Sequence, residues 1–105
     1  MSNFEFIPTE KQIEESNIFQ FMKKLNISSL DELTKKAKSE PEWFWSEVEK
    51  DIGIVWDIPY TKVKDDSKGI AKSRWFVNGC TNIYLSSVEK FAEQNPTKIA
   101  YHFVS

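Results

Sequence analysis

Residues Arg74–Phe103 read "RWFVNGCTNIYLSSVEKFAEQNPTKIAYHF", a Trp-Phe pair beside an Asn78-Gly79 turn, then a helical pattern, then an alternating one. Asn82 is placed to cap a helix from Ile83 to about Gln94, with Tyr84, Val88, Phe91 and Ala92 on one face. Asn95-Pro96 ends it. "KIAYHFV" then alternates Ile99, Tyr101 and Phe103 against Ala100, His102 and Val104, so both faces carry apolar character. Strands of that kind are covered on both sides. A strand also needs neighbours, and the chain upstream supplies none that are obvious. The pattern therefore predicts a C-terminal strand covered on both faces.

Upstream the chain reads as mostly helical. "NFEFIP" ends at Pro8 and reads as an extended arm. Thr9 with Gln12 fits a capping box and starts a helix from Glu10 to about Leu25, with Ile18, Phe21, Met22 and Leu25 on one face. Ser29 with Glu32 opens a second helix, "LDELTKKAKS", whose lysines suit its C-terminal dipole. Ser39 with Glu42 reads as a third box, with Pro41 in the first turn of "PEWFWSEVEKDIG". Gly53 stops that helix. Between Ile54 and Cys80 there is no helical period. Pro59, Gly69, Gly79 and β-branched residues predict an extended, aromatic-rich segment, with no central strand at "KVKDDSKG". The fold class expected is mostly α: about four helices, the extended segment, and one C-terminal strand.

A chain of 105 residues fits one compact domain, and a net charge of −2 gives no basic excess for displacing counterions from nucleic acid. Cys80 is the single cysteine, so no internal disulfide can form and a reducing compartment fits. The N-terminus lacks a basic region followed by an apolar run, and no stretch approaches membrane-spanning length. These features predict a cytoplasmic chain without nucleic-acid or membrane partners.

Little in the chain suits catalysis. His102 is the only histidine, which excludes a His pair or a three-His metal site, and it reads as a strand residue facing a neighbouring layer. Cys80 has no nameable activating partner. Three glycines cannot write a phosphate loop or a dinucleotide fingerprint. Glu47, Glu49, Asp51 and Asp57 read as acids on an exposed face. No catalytic, cofactor-binding or metal-binding residue is assigned. The aromatics carry more information. Trp43, Phe44, Trp45, Trp56, Tyr60, Trp75 and Phe76 crowd the middle of the chain, around one short helix. They read either as a single aromatic core or as a surface that docks onto something larger. Base stacking is a weaker third reading, because no basic patch interleaves them.

Taken in order, Asn17, the "PEWFW" block, Trp56, Pro59-Tyr60, Trp75-Phe76, Gly79 and Asn82 resemble the N-terminal domain of acetyl-CoA synthetase-like enzymes. These are AMP-forming acyl-CoA synthetases of the adenylate-forming superfamily. The chain departs from the family where Asn78-Gly79 stands for two adjacent glycines, and where Glu89-Lys90-Phe91 stands for Asp-Arg-His. The resemblance implies that residues 1–97 form a helical N-terminal domain and that 98–105 are the first strand of the larger α/β catalytic domain. It implies a parent enzyme that activates a short-chain carboxylic acid with ATP and magnesium to an acyl-adenylate, then transfers the acyl group to CoA. Trp43, Phe44, Trp45, Trp56, Tyr60, Trp75, Phe76, Gly79 and Asn82 would be structural or docking residues against the catalytic domain of the same polypeptide. Self-association through the C-terminal strand is a second expected contact. A stand-alone helical adaptor, binding a protein through the same aromatics, is the rival from another class.

Overall fold

A computed structural model describes residues 6–105. The elements in chain order are α1 (Glu10–Glu14), α2 (Asn17–Lys24), α3 (Leu30–Ser39), α4 (Pro41–Ile52), β1 (Trp56–Ile58), β2 (Lys62–Asp65), β3 (Arg74–Val77), β4 (Cys80–Thr81) and α5 (Lys90–Gln94). A π-helical turn, Leu85–Glu89, leads into α5, and a 3-10 turn, Ile70–Lys72, lies between β2 and β3. The mostly helical class is as expected. Of the expected N-terminal arm, Asn3 to Glu5 lie outside the described residues.

The chain divides into two compact units, Met1–Phe44 and Trp45–Ser105. In the first, the capping box at Thr9 is complete: Thr9 N–H donates to Gln12 Oε1 at 2.9 Å, and Gln12 N–H donates to Thr9 Oγ1 at 3.3 Å. The single helix expected from Glu10 to Leu25 is instead broken. Ser16 is extended, its Oγ donates to the Ile13 carbonyl at 2.6 Å, and it accepts from Phe19 N–H at 3.3 Å. A serine that bonds backbone on both sides competes with helix continuation and caps a new helix. Asn26, at φ 55°, closes α2, with Ile27 N–H reaching the Met22 carbonyl at 3.0 Å. That is a Schellman ending, and it seats Ile27 in the core beside Phe21 and Leu33. Ser29 caps α3 as expected, but the Glu32 carboxylate reaches Ser28, accepting from its Oγ at 2.7 Å and its N–H at 3.1 Å. Those two bonds hold the exposed Glu32 below the ordinary carboxylate range. The third box is not formed. Ser39 is the last residue of α3 and donates back to the Lys36 carbonyl at 3.1 Å, while Pro41 begins α4.

In the second unit, α4 ends at Gly53 (φ 68°), with Gly53 N–H on the Lys50 carbonyl and Ile54 N–H on that of Glu49. The segment expected to be simply extended folds into two antiparallel pairs. β2 and β3 form a hairpin, with Lys62 opposite Val77, Lys64 opposite Trp75 and Asp65 opposite Arg74. β1 and β4 bracket it, Trp56 opposite Thr81 and Ile58 opposite Cys80, with a bulge between. β2 is an edge of a two-stranded sheet, which is consistent with the absence of a central strand there. The helix expected from Ile83 to Gln94 is present, with the π turn inside it.

The C-terminal strand is not formed. Residues 98–105 carry no strand, and Ile99, Tyr101, Phe103 and Val104 are all exposed. Among the described residues no strand edge lies beside it, and a single strand leaves its amides and carbonyls to water and gains nothing from extension. His102, expected against a neighbouring layer, is exposed for the same reason.

The hairpin carries a pH-dependent clasp. Arg74 Nη2 donates to Asp65 Oδ2 at 2.8 Å, Ser67 N–H donates to Asp65 Oδ1 at 3.0 Å, and together they hold Asp65 well below the usual carboxylate range. Asp66 is shifted the same way, by Ser73 and then Lys64. A depressed carboxyl contributes stability above its unfolded value, here 3.8, and loses it as pH falls further. Amide exchange over residues 62–77 is therefore expected to accelerate selectively below about pH 4. Asp65→Asn should weaken that acid response, leaving only the part that Asp66 contributes. An unchanged acid profile in the variant would show that the clasp does not hold the hairpin.

Candidate functional site: the aromatic cluster around Glu49

The Trp45–Ser105 unit is organised around a carboxylate. Glu49 leaves α4 pointing inward and is only 7% exposed. Trp56 Nε1–H donates to its Oε1 at 2.5 Å, and the Tyr60 hydroxyl donates to its Oε2 at 3.3 Å. Ser46 Oγ lies 3.5 Å from that hydroxyl. The three rings then close on one another: Trp56 to Tyr60 at 5.3 Å and Tyr60 to Phe76 at 5.2 Å, both edge-on, with Trp56 to Phe76 at 5.7 Å. Both oxygens of Glu49 are used in holding rings, so the group braces the fold. The expectation that Glu49 lies on an exposed acidic face is corrected. What sequence could have shown is the donor pair: an indole N–H and a phenol within eleven residues of an inward helix position.

Phe76 has φ 46°, a left-handed conformation that costs a bulky residue about 1–2 kcal/mol. Its contacts with Trp56 and Tyr60 offset that cost. The chain then turns through Asn78, also left-handed, and brings Gly79 against Trp56. A Cβ on Gly79 would lie 2.7 Å from Trp56 Cζ3 and 3.1 Å from the Phe76 carbonyl oxygen. Only a residue without a side chain fits there.

Asn82 caps the final helix: its Oδ1 accepts from Tyr84 N–H at 3.0 Å and its carbonyl from Leu85 N–H at 3.0 Å. That helix is latched to the α4–β1 link by Ser86 and Lys90, neither of which the sequence marked as a docking or structural residue. Val55 N–H donates to Ser86 Oγ at 2.8 Å, and Lys90 Nζ donates to the Gly53 carbonyl at 2.5 Å. Lys90 stands at one of the departures from the family pattern, and its role here is a cation on the C-terminal carbonyls of α4.

The remaining aromatics are placed elsewhere. Trp45 meets Trp75 edge-on at 6.0 Å, both are 43% exposed, and Lys64 Nζ lies 5.2 Å above Trp75. Within the Met1–Phe44 unit, Phe44 meets Phe21 edge-on at 6.3 Å and Lys36 sits 4.0 Å over Trp43. Cys80 is exposed. Among the described residues no group of three or more His, Cys, Asp or Glu is gathered to hold a metal, and no helix is long and apolar enough to cross a membrane.

A small, mostly helical chain with two strand pairs, in which half-buried Trp, Tyr and Phe rings close over a buried glutamate, is the class these features define. The chain belongs to the acetyl-coenzyme A synthetase N-terminus family, whose model matches residues 30–86. That match contains α3, α4, all four strands and Glu49, Trp56, Tyr60, Phe76, Gly79 and Asn82. The chain is 32% identical over 102 residues to the acetyl-coenzyme A synthetase of Methanothrix soehngenii, covering 94% of itself and 15% of that protein. It is 35% identical over 75 residues to acetyl-coenzyme A synthetase 2 of Candida glabrata, covering 71% and 11%. To the propionate–CoA ligase of Escherichia coli it is 32% identical over 77 residues, covering 73% and 12%. The chain thus spans at most about a seventh of the length of these relatives. No solved structure matches it.

Proposed function

We propose that the chain is a non-catalytic N-terminal domain of an AMP-forming acyl-CoA synthetase, working in the cytoplasm. The observation that carries this reading is the family match over residues 30–86, together with the small fraction of each relative that the chain spans. The parent enzyme would use ATP and magnesium to convert a short-chain carboxylic acid to an acyl-adenylate, and CoA would then displace AMP. The groups for that chemistry lie outside this chain on this reading. The domain's task is mechanical. Trp56, Tyr60, Phe76, Gly79 and Asn82 hold the fold, and the half-exposed Trp45 and Trp75 offer contact to the catalytic body of the same polypeptide. Trp43 and Phe44 serve the helical unit in the same way.

Two measurements test it. The purified chain, given acetate or propionate with ATP, magnesium and CoA, should form neither AMP nor acyl-CoA. Acyl-CoA formed by the isolated chain would overturn the non-catalytic reading. The second is a chimera in which this chain replaces the matched stretch of the Methanothrix soehngenii enzyme. It should fold and retain acetyl-CoA synthesis. A folded chimera without activity would favour an adaptor that binds some other protein.

A further inference from the structure

The helix that Asn82 caps changes pitch partway along. Lys90 N–H donates to the Leu85 carbonyl, five residues back, whereas Asn95 N–H donates to that of Phe91, four back, at 3.0 Å. One residue more than an α-helix needs is therefore wound into Leu85–Glu89. Such turns are rare and call for a local cause. Here the two side chains that reach the α4–β1 link come from this turn and its end. Ser86 Oγ accepts from Val55 N–H at 2.8 Å, and Lys90 Nζ donates to the Gly53 carbonyl at 2.5 Å. The ammonium is seated so closely that a Cβ on Gly53 would lie 2.9 Å from it.

The register decides which residue meets the end of α4. In the π turn the N–H of Lys90 closes on Leu85; in an α-helix with the same start, the N–H of Glu89 would do so. Glu89 would then stand where Lys90 stands, its carboxylate turned toward the carbonyls that end α4. A cation is stabilising at a helix C-terminus and an anion is not. The order Glu89-Lys90 therefore works against the α register.

We propose that Leu85–Glu89 is a two-register element, kept in its π register by the Lys90 ammonium and released to an α register when that ammonium is removed. The shift has reach. Losing the extra residue turns the chain from Lys90 onward by one position, about 100° around the helix axis, so Phe91 and the residues after Gln94 change direction together. Two arrangements of one segment, chosen by a single contact, are the form a conformational switch takes. The inference does not rest on the family reading, since every contact it uses lies within the Trp45–Ser105 unit.

NMR couplings across hydrogen bonds in the purified chain read the register directly. The native chain should show a coupling between Lys90 N–H and the Leu85 carbonyl. In Lys90→Met that coupling should be lost, and one from Glu89 N–H to Leu85 should replace it. Lys90→Arg keeps the cation and should keep the native pattern. Deletion of the exposed Ser87 is the converse experiment. It removes the extra residue, leaves Lys90 facing Gly53, and should give a regular helix in a chain that melts no lower than the native one. A native chain without the five-residue coupling overturns the proposal, as does its survival in Lys90→Met or its loss in Lys90→Arg. Unfolding of the Ser87 deletion also overturns it, and that measurement decides the matter if Lys90→Met does not fold.

Discussion

Trp56→Ala is expected to destabilise the Trp45–Ser105 unit by about 3 kcal/mol, the low end for a large aromatic because the indole is half-buried. Two losses combine. The indole's packing against Tyr60 and Phe76 disappears, and Glu49 loses its shortest hydrogen bond while remaining buried. Trp56→Phe separates the two, because it keeps an aromatic ring and removes only the N–H. Its cost should be about 1–3 kcal/mol, the penalty for leaving a buried acceptor unsatisfied. Glu49→Leu in the Trp56→Phe background should then recover part of that loss, because a buried polar pair replaced on both sides is close to neutral. Urea unfolding followed by circular dichroism measures all three. If Trp56→Ala costs no more than a surface substitution, within about 0.5 kcal/mol, the cluster is not what holds this unit together.

Which parts of this arrangement were legible in the sequence follows from the range of the interactions involved. Thr9, Ser29, Gly53 and Asn82 mark helix ends through bonds within a few residues, Pro41 opens α4 by its fixed φ, and each stands where the sequence placed it. Ser16 is also local, yet the apolar face of Ile18, Phe21 and Met22 masked it, because periodicity extends across a break that one serine can impose. Ser39 shows the opposite error: the spacing to Glu42 is correct, but the hydroxyl finds the carbonyl of its own helix first. The two strand pairs were out of reach for a different reason. Trp56 and Thr81 are brought together by the hairpin between them, and neither short strand alternates over enough residues to declare itself. Glu49 is the clearest case. A helix glutamate looks solvated until its two donors, Trp56 and Tyr60, are known to fold back over it. For residues 98–104 the sequence recorded a tendency to pair, and among the described residues no strand pairs with them.

Gly79→Ala is expected to cost about 1–3 kcal/mol, a large effect for one methyl group on a surface turn. The new Cβ would lie 2.7 Å from Trp56 Cζ3, inside any tolerable contact, so something must move. On the other side stands the Phe76 carbonyl, which already accepts the Gly79 N–H at 3.0 Å, so the backbone has little freedom to retreat. The indole cannot swing away either. Its N–H is tied to Glu49, and its faces and edges meet Tyr60 and Phe76. The strain therefore passes into Phe76, which is held in a left-handed conformation and has the least reserve. A double-mutant cycle isolates this contact. In a Trp56→Leu background the smaller side chain leaves room for the methyl group, and Gly79→Ala should cost at least about 1 kcal/mol less than in the native chain. Equal costs in the two backgrounds would mean that the glycine is needed for its own backbone, and that the approach of the indole ring does not select it.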